Sequence, residues 1–507
     1  MGYDVAIVGG GSAGCVLAAR LSEDRSRSVL LLEAGPDYRR VEDLPPEIAD
    51  GSVPTDSHDW GFRSEPDEAG RVEALLRGRI MGGCSSTNAS MAVRGSPADY
   101  DAWAASGNSG WSFEDVLPFF RSIERDLDFG DEEWHGAHGP LPIRREGTDE
   151  LLPVQAAALE AALALGYPRA PDHNRPGAVG AGPWPVNRVD GVRMSTALTF
   201  LASARARPNL TVRPDTVVDR VLVDGGRATR IAPVDGGAPV EAGLIVLAAG
   251  AYASPAILLR SGIGPLDDLE EMSIPVVRDA AGVGSNLVEH AWLSVDVPTS
   301  PGQPRGPLSQ TLVTAHADGT DLAAAPDLQL IVASAQTVGP EVSPTGAVFF
   351  IGVSVVKPRS RGSLRLRSPD PHAAPVIDPA FLRDPDDVRR AIEGIRAARR
   401  LLRTRPLADL VAGPELTPAP GVKDEDERGL ASAIRATYGS YYHPVGTCAM
   451  GPDPDEGAVV DAHGRVHGVE GLMVVDASIM PDIPSANTNL PTIMIAERMA
   501  ARIRGRD

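Results

Sequence analysis

Two short segments near the C-terminus hold the residues best suited to chemistry. Tyr441-Tyr442-His443-Pro444-Val445-Gly446-Thr447-Cys448 is followed, 487 − 443 = 44 positions after its histidine, by Asn487 in Pro484-Ser485-Ala486-Asn487-Thr488-Asn489. An imidazole titrates near neutrality, so His443 is a candidate proton acceptor. An asparagine cannot take that proton, but it can hydrogen-bond an oxygen on which charge develops. Pro444 disfavours helix at His443 and fixes the following turn, so the ring projects from a constrained loop. A lone histidine is more often a hydrogen-bonded core residue, and the functional reading depends on what the rest of the chain brings to this pair.

The first 34 residues bring a nucleotide cradle. Asp4 to Val8 reads as a short buried strand, Gly9, Gly11 and Gly14 form Gly-x-Gly-x-x-Gly, and Val16, Leu17 and Leu21 give Ser12 to Leu21 a helical spacing. Val29 to Leu32 predicts a second strand ending in Glu33, 33 − 14 = 19 residues past the third glycine. Glycines there permit a tight turn and close approach to a pyrophosphate, free amides at the helix start meet its charge, and the carboxylate accepts hydrogen bonds from an adenosine ribose. FAD or NAD satisfies this pattern; the 2′-phosphate of NADP does not. Arg77-Gly78-Arg79-Ile80-Met81-Gly82-Gly83-Cys84-Ser85-Ser86-Thr87-Asn88 is a small-residue loop suited to backbone contact with a large cofactor, or to an ordinary surface turn. Leu244 to Ala248 is an apolar run, and Ser254-Pro255 predicts the cap and first turn of a helix that Ser261-Gly262 ends.

The run Gly250-Ala251-Tyr252-Ala253-Ser254-Pro255-Ala256-Ile257-Leu258-Leu259-Arg260-Ser261-Gly262-Ile263-Gly264 resembles the second signature of the glucose-methanol-choline (GMC) oxidoreductases at every constrained position. The chain is similar, almost end to end, to that family of FAD-dependent enzymes acting mostly on alcohols. The Arg77 to Asn88 segment resembles the first signature less strictly, with Cys84 where Gly, Ser or Thr is usual and Thr87 where an aliphatic residue is usual. Some relatives carry at the position of Thr87 a histidine joined covalently to the flavin. A threonine cannot make that bond, which implies noncovalent FAD.

The resemblance implies that His443 is the catalytic base, that Asn487 bonds the substrate oxygen where many relatives have a second histidine, and that hydride passes to flavin N5 to leave an aldehyde or ketone. For the cofactor it implies contacts from Gly9, Gly11, Ser12, Ala13, Gly14, Glu33 and Ala34, then from Met81, Gly82, Gly83, Ser86, Asn88, Ala89, Ser90 and Met91. Val218 is expected against the adenine, Gly250, Asp476, Ala477 and Thr488 beside the cofactor, and Trp60 over the phosphates or in the core. The partner is a small-molecule alcohol, and the electron acceptor is left open among oxygen, a quinone and a carrier protein. Lyase and photodecarboxylase members share the fold, and a flavin-holding protein that binds a partner without turnover is a reading of another class. Retention of both His443 and Asn487 favours oxidation.

Positioning these residues takes more than one hydrophobic core, since 507 residues and 53.2 kDa exceed the size at which a single core stops growing. The implied fold is α/β: a Rossmann-like FAD-binding domain from 1–145, 190–290 and 440–507, and an α+β substrate domain with an antiparallel sheet from 146–189 and 291–439. Leu328 to Ala333, Ala347 to Val356 and the alternating Gly362 to Leu366 read as strands of that sheet. Asp386 to Arg403 has helical spacing beside an arginine-rich face read as solvated, and Leu490-Pro491 opens a last helix just after Asn487. Tyr442, Phe349 and Phe350 are candidates for pocket walls, the two phenylalanines equally for core.

A net charge of −20 opposes attraction to nucleic acid, and without an apolar run of the ~20 residues a bilayer span needs, membrane insertion is excluded. Cys15, Cys84 and Cys448 are too few and scattered for a disulfide framework. The chain enters Val5-Ala6-Ile7-Val8 without a basic region before it, which reads as cytoplasmic. His135, His138, His463 and His467 lack a ligand pattern, and no metal is assigned.

Overall fold

Buried on both faces, the apolar runs near the N-terminus form the middle of a parallel sheet, as such runs require. The computed structural model describes residues 2–304 and 306–505. Its strands lie in the order Leu210–Arg213, Val29–Leu32, Tyr3–Val8, Val240–Leu247 and Leu472–Val474, all parallel. Both ends of the chain thus meet in one sheet. Val240–Leu247 also pairs antiparallel with Arg227–Pro233, which pairs with Val218–Asp224. Helix Ser12–Leu21 has the bounds its spacing predicts and packs against the last helix, Asn489–Ile503.

The helix expected to begin at Ser254 begins at Gly250 and runs to Arg260, with Pro255 inside it. Proline lacks the N–H that would bond the Ala251 carbonyl one turn back. The Thr447 hydroxyl donates to that carbonyl at 2.6 Å, so the turn loses no hydrogen bond and the helix continues through the proline. Ser254 is therefore not a cap; its hydroxyl donates to the Asp476 carboxylate at 2.6 Å.

A second, antiparallel sheet runs Gly439–Ser440, Ala291–Pro298, Ala347–Val355, Leu328–Val332, Thr311–Ala315 and Gly180–Pro183. Helices Pro153–Ala164 and Pro385–Leu402 pack on it over a separate hydrophobic core. Ser363–Arg365 is a strand but not one of this sheet. Among the described strands it pairs with Val376–Asp378 alone, and Leu364, Leu366 and Ile377 pack into the core under the parallel sheet. The arginine-rich face of Pro385–Leu402 is also less solvated than its composition suggests: Arg399 is buried between Glu415 and Asp424, and Arg390 against Asp387. Phe349 is wholly buried in the second core. Phe350, on the opposite face of the strand, meets the edge of Trp292 with centroids 6.1 Å apart.

A buried charge cluster fixes the segment that follows the Gly82-Gly83 loop. Arg94 bonds both oxygens of Glu124 at 2.9 Å, Arg145 bonds Asp126 and Asp172, and His135 sits among all three carboxylates at 2.9 to 3.2 Å. Burial opposes a charge on His135, but hydrogen bonds to Asp126, Asp172 and Glu124 outweigh it and push the ring up to about 10. With His135 protonated, three carboxylates face three cations. Glu124, Asp126 and His135 stand close enough to hold a metal ion, but the balance of charge is met without one.

Candidate active site

His443 is thrown out of a strand ladder by a bulge. Ala291 pairs with Ser440 and Val288 with Val445, so four residues, 441–444, face only two, Glu289 and His290. The surplus is taken up where Tyr442 adopts φ 65°, a left-handed conformation unusual for a tyrosine. Both residues opposite hold His443. The Glu289 carboxylate accepts its backbone N–H and the Ser440 hydroxyl, while His290 Nδ1 lies 3.0 Å from His443 Nδ1. On the other side of the ring, Nε2 is 3.1 Å from the Asn487 amide nitrogen, and Asn487 Oδ1 is buried without a partner among the described residues. The Tyr441 ring stacks obliquely on His443 with centroids 4.1 Å apart, and Arg77 donates to the Tyr442 carbonyl.

Burial, helped by His290 and Arg77, holds the His443 imidazole well below its ordinary value, so the ring is neutral. Burial pushes Glu289 up to about 7 against the pull of Arg77 and the His443 N–H.

His443, Pro444 and Asn487 line a cavity of about 830 Å³ that the glycine cradle also lines. That volume is within the range of cofactor and ligand sites. Gly9, Gly11, Ser12, Ala13, Glu33 and Ala34 line the nucleotide end, with Val218, Gly250 and Trp60. Gly83, Asn88, Ala89 and Met91 line the cavity from the loop, and Asp476, Ala477 and Thr488 from the C-terminal part. Five of the expected contacts, Gly14, Met81, Gly82, Ser86 and Ser90, stand behind that wall. A methyl on Gly14 would meet the Gly9 carbonyl at 1.8 Å, so this glycine serves helix–turn packing. Gly82 has φ 93° and donates to the Gly10 carbonyl, Ser86 caps the Met81 carbonyl at 2.9 Å, and Met81 packs over Gly10. Ser90, at φ 60°, donates its N–H to Asn88.

The cradle fits a dinucleotide. Gly11 caps Ser12–Leu21 with no side chain in the way, leaving the first amides of the helix facing the cavity. Glu33 bonds the N–H groups of Gly10 and Gly35 at 2.7 and 2.8 Å, and burial pushes it up to about 7. Each of its oxygens keeps a lone pair for a ribose hydroxyl. Asp476 caps the turn Ala477–Ile479 and also accepts from Gly250 N–H and Ser254, so it both caps and splices the last strand to helix Gly250–Arg260.

Residues 3–292 and 358–496 match the family profiles of GMC oxidoreductases. The chain belongs to the GMC oxidoreductase family. The 5-(hydroxymethyl)furfural oxidase of Methylovorus sp. (strain MP688) is 38% identical over 99% of this chain and 98% of its own length, and the mitochondrial choline dehydrogenase of Mus musculus 36% over 99% and 89%. Among solved structures, pyridoxine 4-oxidase from Mesorbium loti superposes with a TM-score of 0.91 at 34% identity, over the whole of both chains. This GMC oxidoreductase is thus an FAD-dependent enzyme that oxidises an alcohol to an aldehyde or ketone.

Sequence reasoning missed Glu289, His290, Trp292 and Tyr441. Trp292 and Tyr441 line the cavity beside Ile331 and Met91, with ring centroids 5.0 Å apart. Gly352 on the neighbouring strand admits the indole, since a methyl there would stand 2.1 Å from it. The signal for Tyr441 lay in its place two residues before His443; for the other three it lay in strand register, which a sequence does not print.

Proposed function

We propose that His443 takes the hydroxyl proton of the alcohol and that Asn487 hydrogen-bonds the oxygen as it becomes an alkoxide. The observation that carries this reading is His443 Nε2 at 3.1 Å from Asn487, both lining the cavity that the nucleotide cradle also lines. FAD, when bound, supplies the hydride acceptor. The residues that line the nucleotide end hold it, with helix amides toward the pyrophosphate and Glu33 toward the ribose. Thr87 lines the cavity where some relatives carry the flavin-linked histidine, and having no imidazole it cannot make that bond, which supports noncovalent FAD. We assign 1–145, 190–290 and 440–507 to the cofactor domain and 146–189 and 291–439 to the substrate domain, and we place the protein in the cytoplasm, in accord with three free thiols. No helix among the described residues is long and apolar enough to cross a membrane.

The alcohol is uncharged and ring-bearing. Trp292, Tyr441, Ile331 and Met91 pack together in one apolar cluster beside the base. The cavity's carboxylates lie elsewhere: Glu33 and Asp476 belong to the cradle, and Asp56 is exposed. Among the described residues no carboxylate lines the wall beside the base, so a cationic alcohol would be met there by the faces of Trp292 and Tyr441 without a counter-ion. The names of the furfural and pyridoxine oxidases accord with this reading better than those of the choline dehydrogenases.

Anaerobic mixing of the yellow protein with benzylic, furanic and aliphatic alcohols, sugars and choline tests both statements. Ring-bearing neutral alcohols should bleach the flavin and choline should not; bleaching by no alcohol, or equal bleaching of His443→Ala, refutes the mechanism. Readmitting air separates an oxidase from an enzyme that needs a quinone or carrier protein. Acid precipitation should release the flavin into solution.

A further inference from the structure

His290 is fully buried, and each of its ring nitrogens has one neighbour. Nε2 lies 3.0 Å from the Val356 carbonyl oxygen, which can only accept, so Nε2 carries a proton. A buried imidazole beside a carbonyl and another imidazole stays neutral, and burial indeed pushes His290 down to about 3. Its Nδ1 is then bare and can only accept. At 3.0 Å it faces His443 Nδ1, which must therefore be the protonated nitrogen of that ring. His443 is neutral as well, so its Nε2 is bare, and Asn487 turns an N–H toward it, leaving Oδ1 unpartnered. One backbone carbonyl, fixed at the end of strand Ala347–Val355, thus decides through two rings which nitrogen at the cavity is basic.

We propose that His290 is a positioning residue that locks His443 in the tautomer with a proton on Nδ1 and a free Nε2. The inference rests on His443 being the base. Without an acceptor at His290 the other tautomer becomes accessible: Asn487 rotates its amide, Oδ1 accepts from an Nε2–H, and the ring can no longer take a proton from substrate. The lock also spares the site a choice between two nearly equal states at each turnover.

The test uses flavin-loaded protein and an alcohol that bleaches the wild type. His290→Leu removes the acceptor, whereas His290→Asn places an oxygen where Nδ1 stood. The leucine variant should lose roughly 10- to 100-fold in the limiting rate of anaerobic flavin reduction, the usual cost of removing a histidine's orienting partner, with KM and flavin content unchanged. The asparagine variant should recover most of that rate. A leucine variant within about threefold of wild type, or an asparagine variant as slow as leucine, overturns the inference. Protein labelled with 15N-histidine gives the tautomer without turnover: the His443 signals, assigned by their absence in His443→Ala, should show a bare Nε2 and a protonated Nδ1. The reverse pattern overturns the inference even if the leucine variant fails to hold flavin. A wild type that no alcohol reduces refutes the role of His443 itself, and the label still reports the tautomer.

Discussion

Replacing His135 with glutamine removes one of three cations from a buried set of six charges and leaves Glu124, Asp126 and Asp172 facing Arg94 and Arg145 alone. Two routes give the size of the effect. The rise of the His135 ring from 6.5 to about 10 corresponds to roughly 5 kcal/mol of preference for the folded, protonated state. Removing one partner from a buried ion set independently costs about 3–5 kcal/mol. The sign follows from linkage: a histidine raised in the folded state stabilises fully below its unfolded value of 6.5, and that stability is lost as pH rises through about 10. Urea midpoints of flavin-loaded wild type and His135→Gln, read by fluorescence at pH 6, 8 and 10, should therefore show a gap that is widest at pH 6 and narrows toward pH 10. A gap under about 1 kcal/mol at pH 6, or one that does not change with pH, would refute the protonated, charge-balanced cluster.

Other outcomes follow from single contacts. Thr447→Val keeps the shape but leaves the Ala251 carbonyl without the donor that Pro255 cannot supply, and should cost about 1–3 kcal/mol in denaturant unfolding, against no loss if the hydroxyl is idle. Because His443 is held neutral well below its ordinary value while Glu289 beside it is raised to about 7, a fall in the rate of flavin reduction between about pH 7 and 6 should disappear in Glu289→Gln; a half-fall near about 6.5 that persists in that variant contradicts the buried geometry. Gly14→Ala would set a methyl 1.8 Å from the Gly9 carbonyl, so the purified variant should be largely flavin-free by its absorbance ratio, and full occupancy would show that the turn yields.

What the sequence made legible was local. The glycine spacing, the first helix and the strand ending at Glu33 each depend on neighbours within a few residues, and their bounds came out as read. What it hid was pairing. The alternation of Ser363-Leu364-Arg365 marks a strand but does not say which sheet receives it, and this one joins a hairpin over the other core. Pro255 marks a helix start until the hydroxyl of a residue 192 positions later, 447 − 255, takes up the orphaned carbonyl. Glu289 and His290 look like an ordinary polar pair ahead of a strand, and only the unequal count of residues between two bridges brings both onto His443. Arg399 reads as solvated because its carboxylate partners, Glu415 and Asp424, lie on loops that come later in the chain, while Arg390 is buried against Asp387 of its own helix.

The parallel sheet that joins Tyr3–Val8 to Leu472–Val474 sets an order of events during synthesis. Ser12, on the first helix, bonds Asn489, 477 positions later, at 2.8 Å, so the first segment alone does not complete the cradle. A nascent chain thus lacks the wall that Asn489 supplies until that residue has emerged. Chains cut after residue 470 should accordingly retain none of the yellow colour, however well their first 290 residues fold.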